Sequence, residues 1–214
     1  MDIIDIRLGT GLDHWSCKLS GDGSYSVSCL RKIVDVSQVY IPETSVILWC
    51  KVVPIKVTCF IWRAVQARIP TTVALDKRGI AVNSLLCCSC IGAVECSEHV
   101  LMNCPFATMI RNNILGWCGL SHVQDSLKNS YDLLQLAGTR WNFKKKKERL
   151  VAICYGLLWN LWRFKNKRLF QMEGTSPSYG IDCIKSMVFY WLKHRNKNSI
   201  CNWEEWLISP FSDL

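Results

Sequence analysis

The chain has 214 residues, half of them hydrophobic and ten of them Trp, enough for one domain, or a small domain with an extension, that buries a core. So rich a supply of aromatics excludes a disordered chain. The net charge of +9 is concentrated: between Arg140 and Lys197 fourteen basic residues meet three acidic ones, leaving +11 there and −2 elsewhere.

Thirteen cysteines, with no signal sequence visible in Met1-Asp2-Ile3-Ile4-Asp5, predict thiols and metal ligands rather than disulfides. Cys17, Cys29, Cys50, Cys59, Cys154 and Cys183 stand in apolar company and read as small buried hydrophobes. The longest apolar run, Leu150 to Trp162, is too short to span a bilayer, so a soluble protein with no membrane partner is expected.

In chain order, Asp13 to Leu19 alternates polar and apolar, Gly21-Asp22-Gly23 is a turn, and Ser24 to Val27 follows as a second strand, a small N-terminal β-hairpin. Ser28 suits the N-cap of a helix to about Val36. Pro54 fits the first turn of a helix carrying Val57, Phe60, Ile61, Ala64 and Val65 at helical spacing. Trp49, Phe60 and Trp62 form an aromatic stripe expected in the core. Ile69-Pro70 breaks that helix, Thr71 or Thr72 caps the next, and Gly79 stops it.

Cys87, Cys90, His99 and Cys104 then follow as C-x2-C-x8-H-x4-C. Two cysteines two residues apart form a knuckle that aims both sulfurs at one point, and the His and final Cys complete a tetrahedral zinc set. With all four positions filled by protein the site leaves no place for an activated water, so a structural zinc is expected. Cys88 and Cys96 are rivals: Cys88 is wrongly spaced for the knuckle and should point away, while Cys96 competes with His99.

Pro105 starts a further helix with Phe106, Met109, Ile110, Ile114 and Trp117 inward, ended by Gly119. Residues 121–142 read as a linker with a short helix near Tyr131 to Leu136 and a loop at Gly138. Lys144 to Gln171 is a long helix, apolar nearly all round at Leu150, Ile153, Cys154, Leu157, Leu158, Leu161 and Trp162. Gly174 to Gly180 reads as a loop, Ile181 to His194 as a helix, and Trp203 to Leu207 as a short amphipathic turn. The fold class is mostly α.

Lys144, Lys145, Lys146, Lys147, Arg149, Arg163, Lys165, Lys167 and Arg168 are the candidate phosphate contacts. Cations at a helix start oppose the helix dipole, so the lysine run is not there for helix stability. Phosphate-loop, dinucleotide-fold and nucleophile-elbow motifs do not occur in the sequence, and no catalytic residues are assigned.

Val53-Pro54-Ile55-Lys56-Val57, Phe60-Ile61-Trp62-Arg63-Ala64, Ile69-Pro70-Thr71-Thr72, Leu75 and Lys77-Arg78-Gly79-Ile80 together resemble the zinc-binding domain of plant LINE-type (non-LTR) reverse transcriptases. The family's Cys, Cys, Glu, His and Cys-Pro positions look like Cys87, Cys90, Glu95, His99 and Cys104-Pro105. Leu158-Trp159, Trp162, Lys165-Asn166 and Phe170 resemble the helix that follows the domain, with Lys165 where the family has Arg; Arg111 stands where it often has Trp.

The resemblance implies a lead-in at 1–45, the zinc-binding domain at 46–120, a linker at 121–142 and a basic Trp-rich extension at 143–214. It implies an accessory role beside RNA or DNA, bound non-specifically, or beside the polymerase portion of a parent element. The aromatic-x-Asp-Asp motif of the polymerase does not occur in this sequence, nor does an endonuclease or ribonuclease H carboxylate set. The expectation is therefore a detached C-terminal portion, not itself an enzyme, whose name would follow reverse transcriptase by homology. A protein-interaction module or a retroelement relic is the alternative.

Overall fold

Two breaks in local structure set the frame: Pro54, where a helix must start, and Pro105, where another must. A computed structural model describes residues 23, 24, 26–28, 47–195 and 202–212, in two compact units, Met1–Ser45 and Val46–Leu214. In the first unit, the strand expected over Asp13 to Leu19 and most of the helix after Ser28 lie outside the described residues. Val27 and Ser28 are helical, rather than a strand end and a cap.

The second unit is helical. Helix α1 (Ile55–Val65) follows Pro54, which sits at its N-cap, and buries Val57, Phe60, Ile61 and Ala64. Thr71 caps the short α2 (Thr72–Asp76) by accepting the Ala74 N–H at 3.3 Å. The cysteine-rich loop runs into a π-helical turn, His99–Asn103, and Pro105 opens α3 (Pro105–Trp117). Gly79 and Gly119, at φ of 74° and 70°, close the segments they were expected to close.

A 3-10 turn, Ser121–Ser126, leads to α4 (Ser130–Thr139), capped by Asn129. Within residues 121–142, Leu133, Leu134 and Ala137 pack into the core. The long α5 (Lys144–Gln171) has the expected limits and ends in a left-handed Met172. Helix α6 (Pro177–Arg195) and α7 (Trp203–Ile208) complete the unit.

Helix α5 is the axis. From Arg149 to Leu158 every residue is buried, because α1, α4, the π turn and α6 all pack on it. Trp206 of α7 is fully buried, its indole N–H donating to the Lys185 carbonyl at 3.1 Å, while the Trp117 indole donates to the Trp206 carbonyl at 3.0 Å.

Two glycines expected in loops lie inside helices, for a packing reason. A Cβ on Gly138 would come 3.3 Å from Leu48, and one on Gly180 would come 2.9 Å from Ile110, so both let neighbouring elements approach. The aromatic stripe also divides: Phe60 is buried against Trp159 and Trp162, but Trp62 is exposed and Trp49 is 69 % exposed. Cys59, on the same helix, is exposed as well, whereas Cys154 is buried as expected. Among the described residues no helix is long and apolar enough to cross a membrane.

Candidate metal centre

The first half of the site is a knuckle held by backbone. Leu86 and Val94 form an antiparallel bridge, the Cys87 N–H donates to Ala93 at 2.8 Å, and the Glu95 N–H donates to Leu85 at 2.7 Å. Inside that loop the Ile91 N–H donates to the Cys87 carbonyl at 2.9 Å and the Ser89 N–H points at Cys87 Sγ at 3.5 Å. Ile91 turns the chain at φ 57°, a conformation uncommon for a β-branched residue.

The second half comes from the π turn. Residues five apart lie roughly 140° from one another around an α-helix. The wider turn, closed by the Cys104 N–H donating to His99 at 2.7 Å, brings both side chains to the same side. Its end is held by Thr108 and Arg111, which donate to the Met102 carbonyl at 2.9 and 3.2 Å.

Together these bring the three sulfurs and the His99 nitrogen within 4.8 Å of one another. Cys87 and Cys104 Sγ are 4.0 Å apart, and Cys90 Sγ lies 3.2 Å from His99 Nε2. The edge of a tetrahedron built on zinc bonds to sulfur and nitrogen is about 3.7 Å. The donor set and its dimensions therefore suit a four-coordinate zinc.

Hydrogen bonding from Cys104, with the backbone N–H groups of Ser89 and Cys90, pulls the Cys87 thiol down to about 4. The same bond and burial push Cys104 up. The rival cysteines stand outside the cluster. Cys88 Sγ turns to the Lys165 carbonyl at 3.8 Å, and Cys96 Sγ accepts the His99 N–H at 3.4 Å.

Two acids beside the cluster have structural partners. Glu98 accepts from both the N–H and the hydroxyl of Ser130, at 2.9 and 2.8 Å, tying the π turn to the start of α4. Glu95 is fully buried; its Oε1 accepts the Thr72 N–H at 3.0 Å and pairs with Lys165 Nζ at 2.7 Å. Sequence spacing had no signal for either partnership, since Lys165 lies seventy positions further along the chain.

Residues 25–110 match the family model described as zinc-binding in reverse transcriptase. That range spans the whole ligand set but less than half of the chain. The chain is also similar to an Arabidopsis thaliana protein named as a ribonuclease H protein, 30% identical over 106 residues. The match takes in 48% of this chain and 17% of that relative, so the chain corresponds to a small part of the relative's length. No solved structure matches.

The candidate phosphate contacts do not form one surface. Lys144 and Lys145 are exposed and Lys146 and Lys147 half-buried at the start of α5; Arg163 and Arg168 are exposed near its end. The two groups are about 24 Å apart along the helix. Lys167 is paired with Glu173 at 2.6 Å. Arg149 is buried, donating to the Pro210 carbonyl at 2.6 Å and lying over the Trp206 ring. Lys165 is buried in its pair with Glu95, its ammonium 5.0 Å from the Trp162 ring centre. These two cations are committed to the interior.

Proposed function

We propose that this chain is an accessory module of a plant LINE-type reverse transcriptase, held together by a structural zinc and binding nucleic acid without polymerase chemistry of its own. The observation that carries this reading is the closed cluster of Cys87, Cys90, His99 and Cys104, within the range matched by the reverse-transcriptase zinc-binding family. A bound zinc would cross-link the knuckle to the π turn. With four protein donors it has no open position at which to activate water, which favours a structural over a hydrolytic role.

The lysines of the first turn of α5 supply the nucleic-acid part of the reading, since they neutralise phosphates and gain nothing from the helix dipole. Metal analysis of the purified chain beside Cys90→Ser tests the zinc. One equivalent is expected, lost in the variant; a zinc-free, fully folded wild type would end the reading. A gel shift across a salt series tests the second part, with binding expected at low salt and falling steeply as salt rises.

A further inference from the structure

Leu48 to Val53 is anchored to α5 in a way that leaves one side chain out. The Tyr155 hydroxyl accepts the Leu48 N–H at 2.8 Å and donates to the Leu48 carbonyl at 3.0 Å. Val52 and Val53 are buried, and Leu48 and Cys50 pack against the core. Trp49, between them, is 69 % exposed on a backbone that is fixed on both sides. Trp49 lines a cleft of about 310 Å³ together with Asn142, Lys144 and Lys147. Phe143, between two of those residues, is 76 % exposed. Lys145 and Lys146 lie on the same helical turn, and among the described residues Glu148 is the only acid lining the cleft.

Two outward aromatic rings beside four lysines answer two different parts of one ligand. Stacking on a ring needs an unpaired base face, which a duplex keeps inside its helix, while lysines bind the phosphates of either form. Resting on the nucleic-acid reading above, we infer that this cleft is a single-strand site in which a base stacks on Trp49 and the neighbouring phosphates lie on Lys144 and Lys147.

The test is fluorescence anisotropy of the full chain with a labelled oligothymidylate and with a duplex of equal length, across a salt series. The wild type should bind the single strand more tightly. Trp49→Ala should lose roughly tenfold or more of single-strand affinity, with duplex affinity and the salt slope unchanged, because no phosphate contact is removed. Trp49→Phe should retain most of the binding. Lys144→Ala with Lys147→Ala should weaken both ligands and flatten the single-strand salt slope by about 1.4.

Zinc content and the thermal melt of each variant report the fold, and Phe143→Ala probes the exposed ring beside the cleft. Binding of both nucleic acids that is indifferent to Trp49 and Phe143 would overturn this site while leaving the broader reading standing. Absence of binding by the wild type at low salt would remove both.

Discussion

At the scale of single residues, the pair Glu95–Lys165 joins the metal loop to the long helix, and it is almost entirely out of water, with side chains 1 % and 4 % exposed. Among the described residues Glu95 Oε2 has no hydrogen-bond partner, so the carboxylate depends on Lys165 and the Thr72 N–H. Breaking such a pair from one side strands a buried charge. Lys165→Met should therefore cost about 3–5 kcal/mol in urea unfolding, and adding Glu95→Gln should recover much of the loss. Equal stability of Lys165→Met and wild type would show that the pair is not what holds the loop.

Tyr155 gives a pH dependence of definite sign. Burial pushes its phenol up to about 12, against an ordinary value of 10. The folded state thus favours the neutral phenol. Its contribution is complete below about pH 10 and is lost as pH rises through about 12, on the order of 2 kcal/mol. Burial raises Cys154 to about 12 as well, so alkaline unfolding has a thiol share beginning near that group's ordinary value of 9. Chemical denaturation between pH 8.5 and 12 should show a shallower alkaline loss in Tyr155→Phe, with the thiol share remaining.

At the scale of elements, the crossing of α5 and α6 depends on Gly156. A Cβ there would fall 2.5 Å from Val188 Cγ2, which requires one of the helices to shift. Helix propensity alone favours alanine by about 1 kcal/mol at such a position. Gly156→Ala should nevertheless destabilise, by roughly 1–3 kcal/mol, because overpacking outweighs propensity at that separation. A melt shows the sign directly: a rise in the midpoint would mean the helices can spread at little cost. Gly138→Ala, facing Leu48 at 3.3 Å, should be milder.

At the scale of the whole molecule, the Cys-His cluster and the helical core are held by different forces. The knuckle and π turn have a single bridge, short backbone bonds and the proposed metal. Helices α5 and α6 have a large apolar interface that needs no ion. Chelation should expose amides over residues 85–104 to rapid hydrogen exchange while those of 150–162 and 184–192 stay protected. Uniform loss of protection would make the metal a condition for the entire fold.

The local pattern was sufficient wherever the decisive interaction lay within a few residues. The gathering of Cys87, Cys90, His99 and Cys104 into one cluster, the start of α3 at Pro105, the limits of α5 and the stops at Gly79 and Gly119 could all be read from spacing, because knuckles, caps and helical periodicity act over one or two turns. Contacts between distant segments were not legible. Spacing placed Gly138 and Gly180 in loops, although close packing puts both inside helices. It placed Lys165 among phosphate contacts, although Glu95 draws it inside. It placed Trp49 in the core, although Tyr155 fixes the backbone with the ring outward. The sequence by itself determined which residues could gather in the Cys-His cluster and where helices begin and end. Only the tertiary structure decided which cations are buried and which aromatics reach solvent, because burial depends on what packs against a residue from elsewhere in the chain.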